Sequence, residues 1–212
     1  MKDLSFSYDN ETDVLQNISL IINKGEKVCI RGNDSSGKST LLRLMAGAYP
    51  DFKGSFLIND VPLGNYELTS IRSQTGILLS QQEIFQGTLW ENITLGNENI
   101  SLEEVTRLTA ITGLNDFIAT LKNGYDAQLD PFGKRLPRSV VHKILLVRAL
   151  AGKPSLLLLE EPFLALEGNN REQLMELLQS MKGCTVVVVG NDADLTARCQ
   201  RLITLDQGRI IN

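Results

Sequence analysis

The nine residues GNDSSGKST, Gly32–Thr40, constrain this chain more than any other segment. They follow a short β-rich run, KVCIRG (Lys27–Gly32), and open a stretch with a helical pattern, STLLRLMAGAY. The spacing G-x-x-x-x-G-K-[ST] between a strand and a helix is that of a phosphate-cradling loop. Gly32 and Gly37 allow a backbone path that a side chain would obstruct. The successive N–H groups of Asn33, Asp34, Ser35 and Ser36, with a helix N-terminus behind them, form an anion cradle. Lys38 brings a point charge to the outer phosphates of a nucleotide, and the Ser39 hydroxyl is suited to a divalent cation. Thr40 closes the segment.

The rest of the chain supplies the frame such a loop requires. SLLLLEE (Ser155–Glu161) is a continuous apolar run after Lys153-Pro154, as expected of a strand covered on both faces. TVVVVGN (Thr185–Asn191) repeats the pattern. Between them Leu174, Leu177, Leu178 and Met181 form a helical stripe stopped by Gly183. Strands alternating with helices predict an α/β core with a parallel sheet. Residues 1–26 and about 52–63 read as β-rich with turns, and about 83–151 as mostly helical. The expectation is one domain over 1–212: a nucleotide core, a small antiparallel layer and a helical subdomain at about 83–151.

Composition narrows the function classes. The net charge is −4 with scattered basic residues, which gives no nucleic-acid footprint. Cys29, Cys184 and Cys199 are far apart and read as reduced and buried. One histidine, His142, and no CxxC spacing argue against zinc. No apolar run approaches the ~20 residues that span a bilayer. There is no signal-peptide pattern either. The chain is therefore expected to be water-soluble, with any membrane role supplied by another chain or segment. Two carboxylates, Glu160 and Glu161, end the buried run SLLLLEE, at the edge where open α/β sheets bind ligands. There Glu160 would steady Mg2+, through water, and Glu161 would polarise an attacking water.

Together these segments resemble the ATP-binding cassette superfamily, in particular exporter-type nucleotide-binding domains. The resemblance covers nearly the whole chain in order. Tyr8 of FSY stands thirty residues before Lys38, where the family has an aromatic that stacks on adenine. The phosphate loop follows, then GILLSQQEIFQGTLWENITLG (Gly76–Gly96), similar to the glutamine-loop region. ITGLNDFIATLKNGYDAQLD resembles the approach to the signature, and LPRSVVHKILLVRAL stands where the family has LSGGQ and a helix ending A-R-A-L. SLLLLEEPFLALE matches the Walker B strand and D-loop, and CQRLITLDQGRII the final hairpin-like segment.

The resemblance implies a P-loop NTPase (RecA-like) core. It implies ATP and Mg2+ as cofactors, with Ser39, Gln81 and Glu160 toward the metal. It implies a second nucleotide-binding domain as partner, transmembrane helices that turn ATP-driven closure into transport, and a place on the cytoplasmic face of the membrane. Family members usually carry a little more at both ends, so a domain cut from a longer protein is expected.

The departures fall at functional positions. Pro137-Arg138-Ser139-Val140 replaces Ser-Gly-Gly-Gln, whose hydroxyl and N–H groups meet a γ-phosphate across the family's dimer. Asn191 stands where the family has a histidine beside the γ-phosphate, and Glu160 and Glu167 stand for aspartates. The glutamine-loop position falls on Gln81 or Ser80, and Pro131 replaces an acidic residue before the signature. His142 reads as an ordinary surface or interface residue of the signature helix. The leading expectation is an exporter ATPase that cycles slowly. The alternative is a module that binds ATP to set dimerisation, with negligible turnover. A P-loop enzyme of another class, such as a kinase, leaves the later motifs unexplained.

Overall fold

The computed structural model describes residues 1–9 and 11–211. The chain forms two compact units. The first comprises residues 1–75, 155–160 and 183–212, and the second 76–154 and 161–182.

In the first unit the expected parallel strands form: Lys27–Arg31, Leu156–Glu160, Thr185–Val189 and, beyond them, Arg201–Asp206. Leu156–Glu160 lies beside Thr185–Val189, then comes Lys27–Arg31, then Arg201–Asp206, with Arg209–Ile210 antiparallel at the outside. The unbroken Leu and Val runs reflect burial on both faces: Leu157–Leu159 and Val186–Val189 are all nearly inaccessible. Register decides what this sheet presents. Glu160 pairs with Val189, and Val189 with Ile30. The residues that follow, Gly190-Asn191 and Arg31-Gly32, therefore emerge at the same strand edge as Glu160. The helix Lys38–Met45 buries Leu41, Leu42, Leu44 and Met45.

The antiparallel layer is a second sheet in this unit, with Lys2–Phe6 between Leu15–Ile18 and Lys53–Ser55. The hairpin Leu57–Ile58/Val61–Pro62 turns through Asn59 (φ 49°) and Asp60 (φ 64°), the paired positive φ of a tight primed turn. The closing hairpin does the same at Gln207 (φ 44°) and Gly208 (φ 77°). A Cβ on Gly208 would lie 2.3 Å from the Val14 carbonyl oxygen. The Gly208 N–H donates to Ser36 O (3.0 Å), and its carbonyl accepts from Gln16 N–H (2.8 Å).

The second unit is mainly helical: Leu89–Thr94, Leu102–Thr112, Asn115–Thr120, Arg138–Leu150 and Gly168–Ser180. Its helix starts follow capping chemistry. Thr88 and Glu91 form a complete capping box, and the Ser101 hydroxyl accepts from Glu104 N–H. Gly113 ends its helix at φ 64°. A two-stranded ladder, Gly87–Thr88 with Gln128–Leu129, interrupts the stretch that the sequence pattern reads as mostly helical.

Buried in this unit is a polar knot. Asn92 is fully inaccessible, and its carboxamide donates to the carbonyls of Phe85 and Thr88. Arg148, the arginine of the A-R-A-L segment, donates to Asn92 O (2.6 Å), Asn92 Oδ1 (3.1 Å) and Glu83 O (3.3 Å). Burial pulls the Arg148 pKa down to about 10. His142, read as an ordinary surface or interface residue, is half-buried, with Nε2 3.3 Å from Pro162 O. Its burial holds its pKa below 6.5, the Pro162 carbonyl pulling the other way. Cys29 and Cys184 are buried as expected, but Cys199 is only partly so, because it follows the short helix Ala193–Arg198 at the surface. Among the described residues, no helix is long and apolar enough to cross a membrane.

Candidate functional site

The phosphate loop is held from several directions within the first unit. Gly32 is required by close approach rather than by dihedral angle. A Cβ there would lie 2.0 Å from Leu205 O and 2.7 Å from Ser36 Oγ. Gly37 is required by conformation, at φ 99° as the residue before the helix. Ser35 also has positive φ (62°), so the loop alternates handedness in the manner of an anion-binding nest. Asn33, Asp34 and Ser35 are exposed, whereas Ser36 and Gly37 are buried.

Gly32→Ala is expected to cost about 2–3 kcal/mol by overpacking against a backbone that has no free rotamer. At this size that lowers the thermal midpoint by roughly 4–12 °C in differential scanning calorimetry. An unchanged midpoint would show that the Arg201–Asp206 strand can retreat.

Lys38 Nζ donates to Gly32 O (2.8 Å) and Asn33 O (2.7 Å) and reaches Ser36 Oγ at 3.5 Å. An ammonium held by neutral carbonyls is readily drawn off by an anion, because its bonds to a phosphate are charge-assisted on both sides. Ser39 Oγ donates to Glu160 Oε1 at 2.5 Å. Glu160 is 7% exposed, so the longer glutamate still delivers its carboxylate to the serine. One hydroxyl beside one carboxylate, next to an anion cradle, is the donor set Mg2+ favours when phosphates and waters complete its shell. Among the described residues, no cluster of three or more His, Cys, Asp or Glu could hold a metal ion.

Tyr8 is 53% exposed, and its hydroxyl hydrogen-bonds with Thr40 Oγ1 (2.9 Å). Its ring meets Phe6 edge-on at 5.0 Å and Tyr49 at 5.5 Å. Tyr49 completes this aromatic cluster, and the sequence pattern does not single it out. It comes shortly after the helix Lys38–Met45, as the last letter of MAGAY, with no motif to mark it. Asn191 folds back on the loop: Oδ1 accepts from Gly32 N–H (3.3 Å), and Nδ2 donates to Gly32 O (3.1 Å). The first unit thus brings together Tyr8, Gly32, Lys38, Ser39, Thr40, Glu160 and Asn191.

Gln81, Glu161 and the signature segment belong to the second unit. Glu161 is exposed and sits at φ 47°, with its carbonyl accepting from Leu164 N–H (3.1 Å). A left-handed glutamate directly after a buried strand is a strained placement of the kind that collects at functional positions. Ser80 and Gln81 occupy the two central positions of a turn closed by Gln82 N–H to Leu79 O (3.1 Å), and the Gln82 side chain caps Leu79 N–H (3.2 Å). Pro137 precedes the helix Arg138–Leu150, and its carbonyl accepts from Val140 N–H (3.0 Å) and Val141 N–H (3.1 Å). No side chain caps this helix, and Arg138 and Ser139 are exposed at its start. Glu167 similarly precedes Gly168–Ser180 without capping it.

Residues 15–164 match the family model described as ABC transporter. The chain belongs to the ABC transporter family. It is an ABC-type ATPase domain, and nucleotide binding follows from that membership. The fold agrees: over its whole length this ABC domain superposes on a bacterial Atm1-family ABC exporter solved with ATP bound, with a TM-score of 0.89 and 27% identity, covering 37% of that chain. It is 31% identical over 211 residues to the ABC transporter ATP-binding protein YknV of Bacillus subtilis, covering 99% of this chain and 35% of that protein. It is 30% identical over 212 residues to an ATP-dependent lipid A-core flippase of Saccharophagus degradans, covering 36% of it. The chain thus spans about a third of the length of these relatives.

Proposed function

We propose that this ABC domain binds ATP with Mg2+ and hydrolyses it slowly to drive an exporter-type transporter. It does so as one nucleotide-binding domain over residues 1–212, with a helical part at about 83–151. The observation that carries this reading is the 2.5 Å bond from Ser39 to Glu160 beside the Lys38 cradle, which pairs a hydroxyl and a carboxylate as Mg-nucleotide chemistry requires. In this reading the loop residues 32–40 hold the phosphates, and Tyr8 stacks on the base. Ser39, Glu160 and Gln81 are the groups that would hold Mg2+, and Glu161 polarises the attacking water. Asn191 belongs to the set through the loop it grips. The partners are a second nucleotide-binding domain and a transmembrane domain, with this domain on the cytoplasmic face. The names of the flippase and exporter relatives support this assignment.

Calorimetric titration with ATP, with and without Mg2+, tests the reading. Saturable binding that tightens with Mg2+ is expected, and no saturable binding would overturn it.

One observation favours a second reading, a module that binds ATP to set dimerisation with negligible turnover. Pro137 supplies no N–H at the signature position, and Arg138 and Val140 stand where the family presents a glycine backbone and a glutamine. Replacing 137–140 by Ser-Gly-Gly-Gln is expected to strengthen ATP-dependent dimerisation at least about tenfold, since each restored charge-assisted hydrogen bond contributes ~1.5–3 kcal/mol. Sedimentation velocity with ATP reads this directly. An unchanged distribution would mean the native segment does not limit closure.

A further inference from the structure

We propose that Asn191 is a positioning residue for the phosphate loop, gripping Gly32 by both its backbone groups, and that it acts on nucleotide affinity through the loop rather than by touching the terminal phosphate. The inference rests on the nucleotide-binding reading above.

The geometry is specific. A carboxamide carries its acceptor and donor side by side, about as far apart as the N–H and C=O that one extended residue turns to the same side. Asn191 uses both on Gly32, accepting from its N–H at 3.3 Å and donating to its O at 3.1 Å. Exchanging the amide oxygen and nitrogen would set N–H against N–H and O against O, so the pairing itself fixes the orientation. The two ring nitrogens of an imidazole diverge, and a histidine here could satisfy only one of the two groups.

The same carbonyl is shared. Lys38 Nζ also donates to Gly32 O, at 2.8 Å. When a phosphate draws Lys38 away, Asn191 remains as the side-chain partner of that carbonyl. On its other side Gly32 is pressed against Leu205 O, closely enough that no Cβ fits. The first residue of the loop is thus fixed between the Arg201–Asp206 strand and Asn191, two residues beyond the strand Thr185–Val189. Gly190 leads to this position with its N–H donating to Ile30 O (3.2 Å), which keeps Asn191 level with the loop.

The test compares ADP with ATP, because only ATP carries a γ-phosphate. Asn191→Ala and Asn191→Asp are titrated calorimetrically with each nucleotide and Mg2+, using the 212-residue chain, with thermal midpoints measured alongside. If Asn191 works through Gly32, Asn191→Ala weakens ADP and ATP by the same factor, about five- to tenfold. Asn191→Asp keeps the acceptor, sets a carboxylate against Gly32 O, and weakens both nucleotides at least as much. Midpoints stay within a degree or so of the wild type, separating a loop effect from general destabilisation. Loss confined to ATP would overturn the proposal in favour of direct contact with the γ-phosphate. Unchanged affinity for both nucleotides would show that the grip has no consequence for binding. A wild-type chain that binds neither would instead remove the nucleotide reading on which the proposal stands.

Discussion

Lys38→Ala is expected to reduce ATP affinity about a hundredfold or more. Two hydrogen bonds from an ammonium to phosphate oxygens contribute ~1.5–3 kcal/mol each, and every 1.4 kcal/mol is a factor of ten. Alanine also removes one of the donors to Gly32 O and Asn33 O, which keep Asn191 Nδ2 and Ser36 N–H respectively. Both carbonyls lie in the partly exposed mouth of the loop, where water can replace it, so the fold survives. The variant should keep its secondary structure by circular dichroism while losing heat in an ATP titration. Wild-type affinity in a folded variant would remove the phosphate site from residues 32–40.

Glu161→Gln separates binding from turnover. Glutamine keeps the shape of Glu161 and removes its capacity to take a proton from water. General-base assistance of this kind is worth about 10²–10⁴ in rate. The expected result is ATP affinity close to wild type with steady-state hydrolysis lowered at least about a hundredfold, measured by phosphate release. Glu161 is exposed and Glu160 buried, so the exchange should leave stability nearly unchanged. If hydrolysis is already negligible in the wild type, even with its native partner domain, and glutamine changes nothing, the dimerisation-switch reading gains over the transport ATPase.

The parts of the fold legible in the sequence are those governed by local chemistry. SLLLLEE and TVVVVGN announce strands because a sheet covered on both faces needs unbroken apolar runs, and both strands form where expected. GNDSSGKST announces its loop because the glycines answer fixed steric demands. The reading of Gly32 gains a partner in the structure: the obstruction comes from Leu205, 173 residues further on, which no local pattern could name. The same limit applies to the Arg148–Asn92 knot and to Asn191, whose partners lie 56 and 159 residues away in sequence. A side chain bonding to a distant backbone leaves no periodic trace. The ladder Gly87–Thr88/Gln128–Leu129 was hidden for another reason: two residues are too few for alternation to register. The capping box Thr88–Glu91 was readable as T-x-x-E ahead of an apolar helix, and it marks where that helix begins.

The turn at Gly208 bears on how the protein is made. Its N–H holds the carbonyl of Ser36, and its carbonyl holds Gln16 N–H, so the loop and the antiparallel layer are tied by a residue far downstream of both in sequence. A ribosome delivers the loop before that tie, at roughly 5–20 residues per second. For about ten seconds or more the nascent loop has its sequence but lacks that fastening, and it lacks Leu205 and Asn191 as well. The nucleotide cradle is thus completed only after residues far downstream of its defining motif have been made.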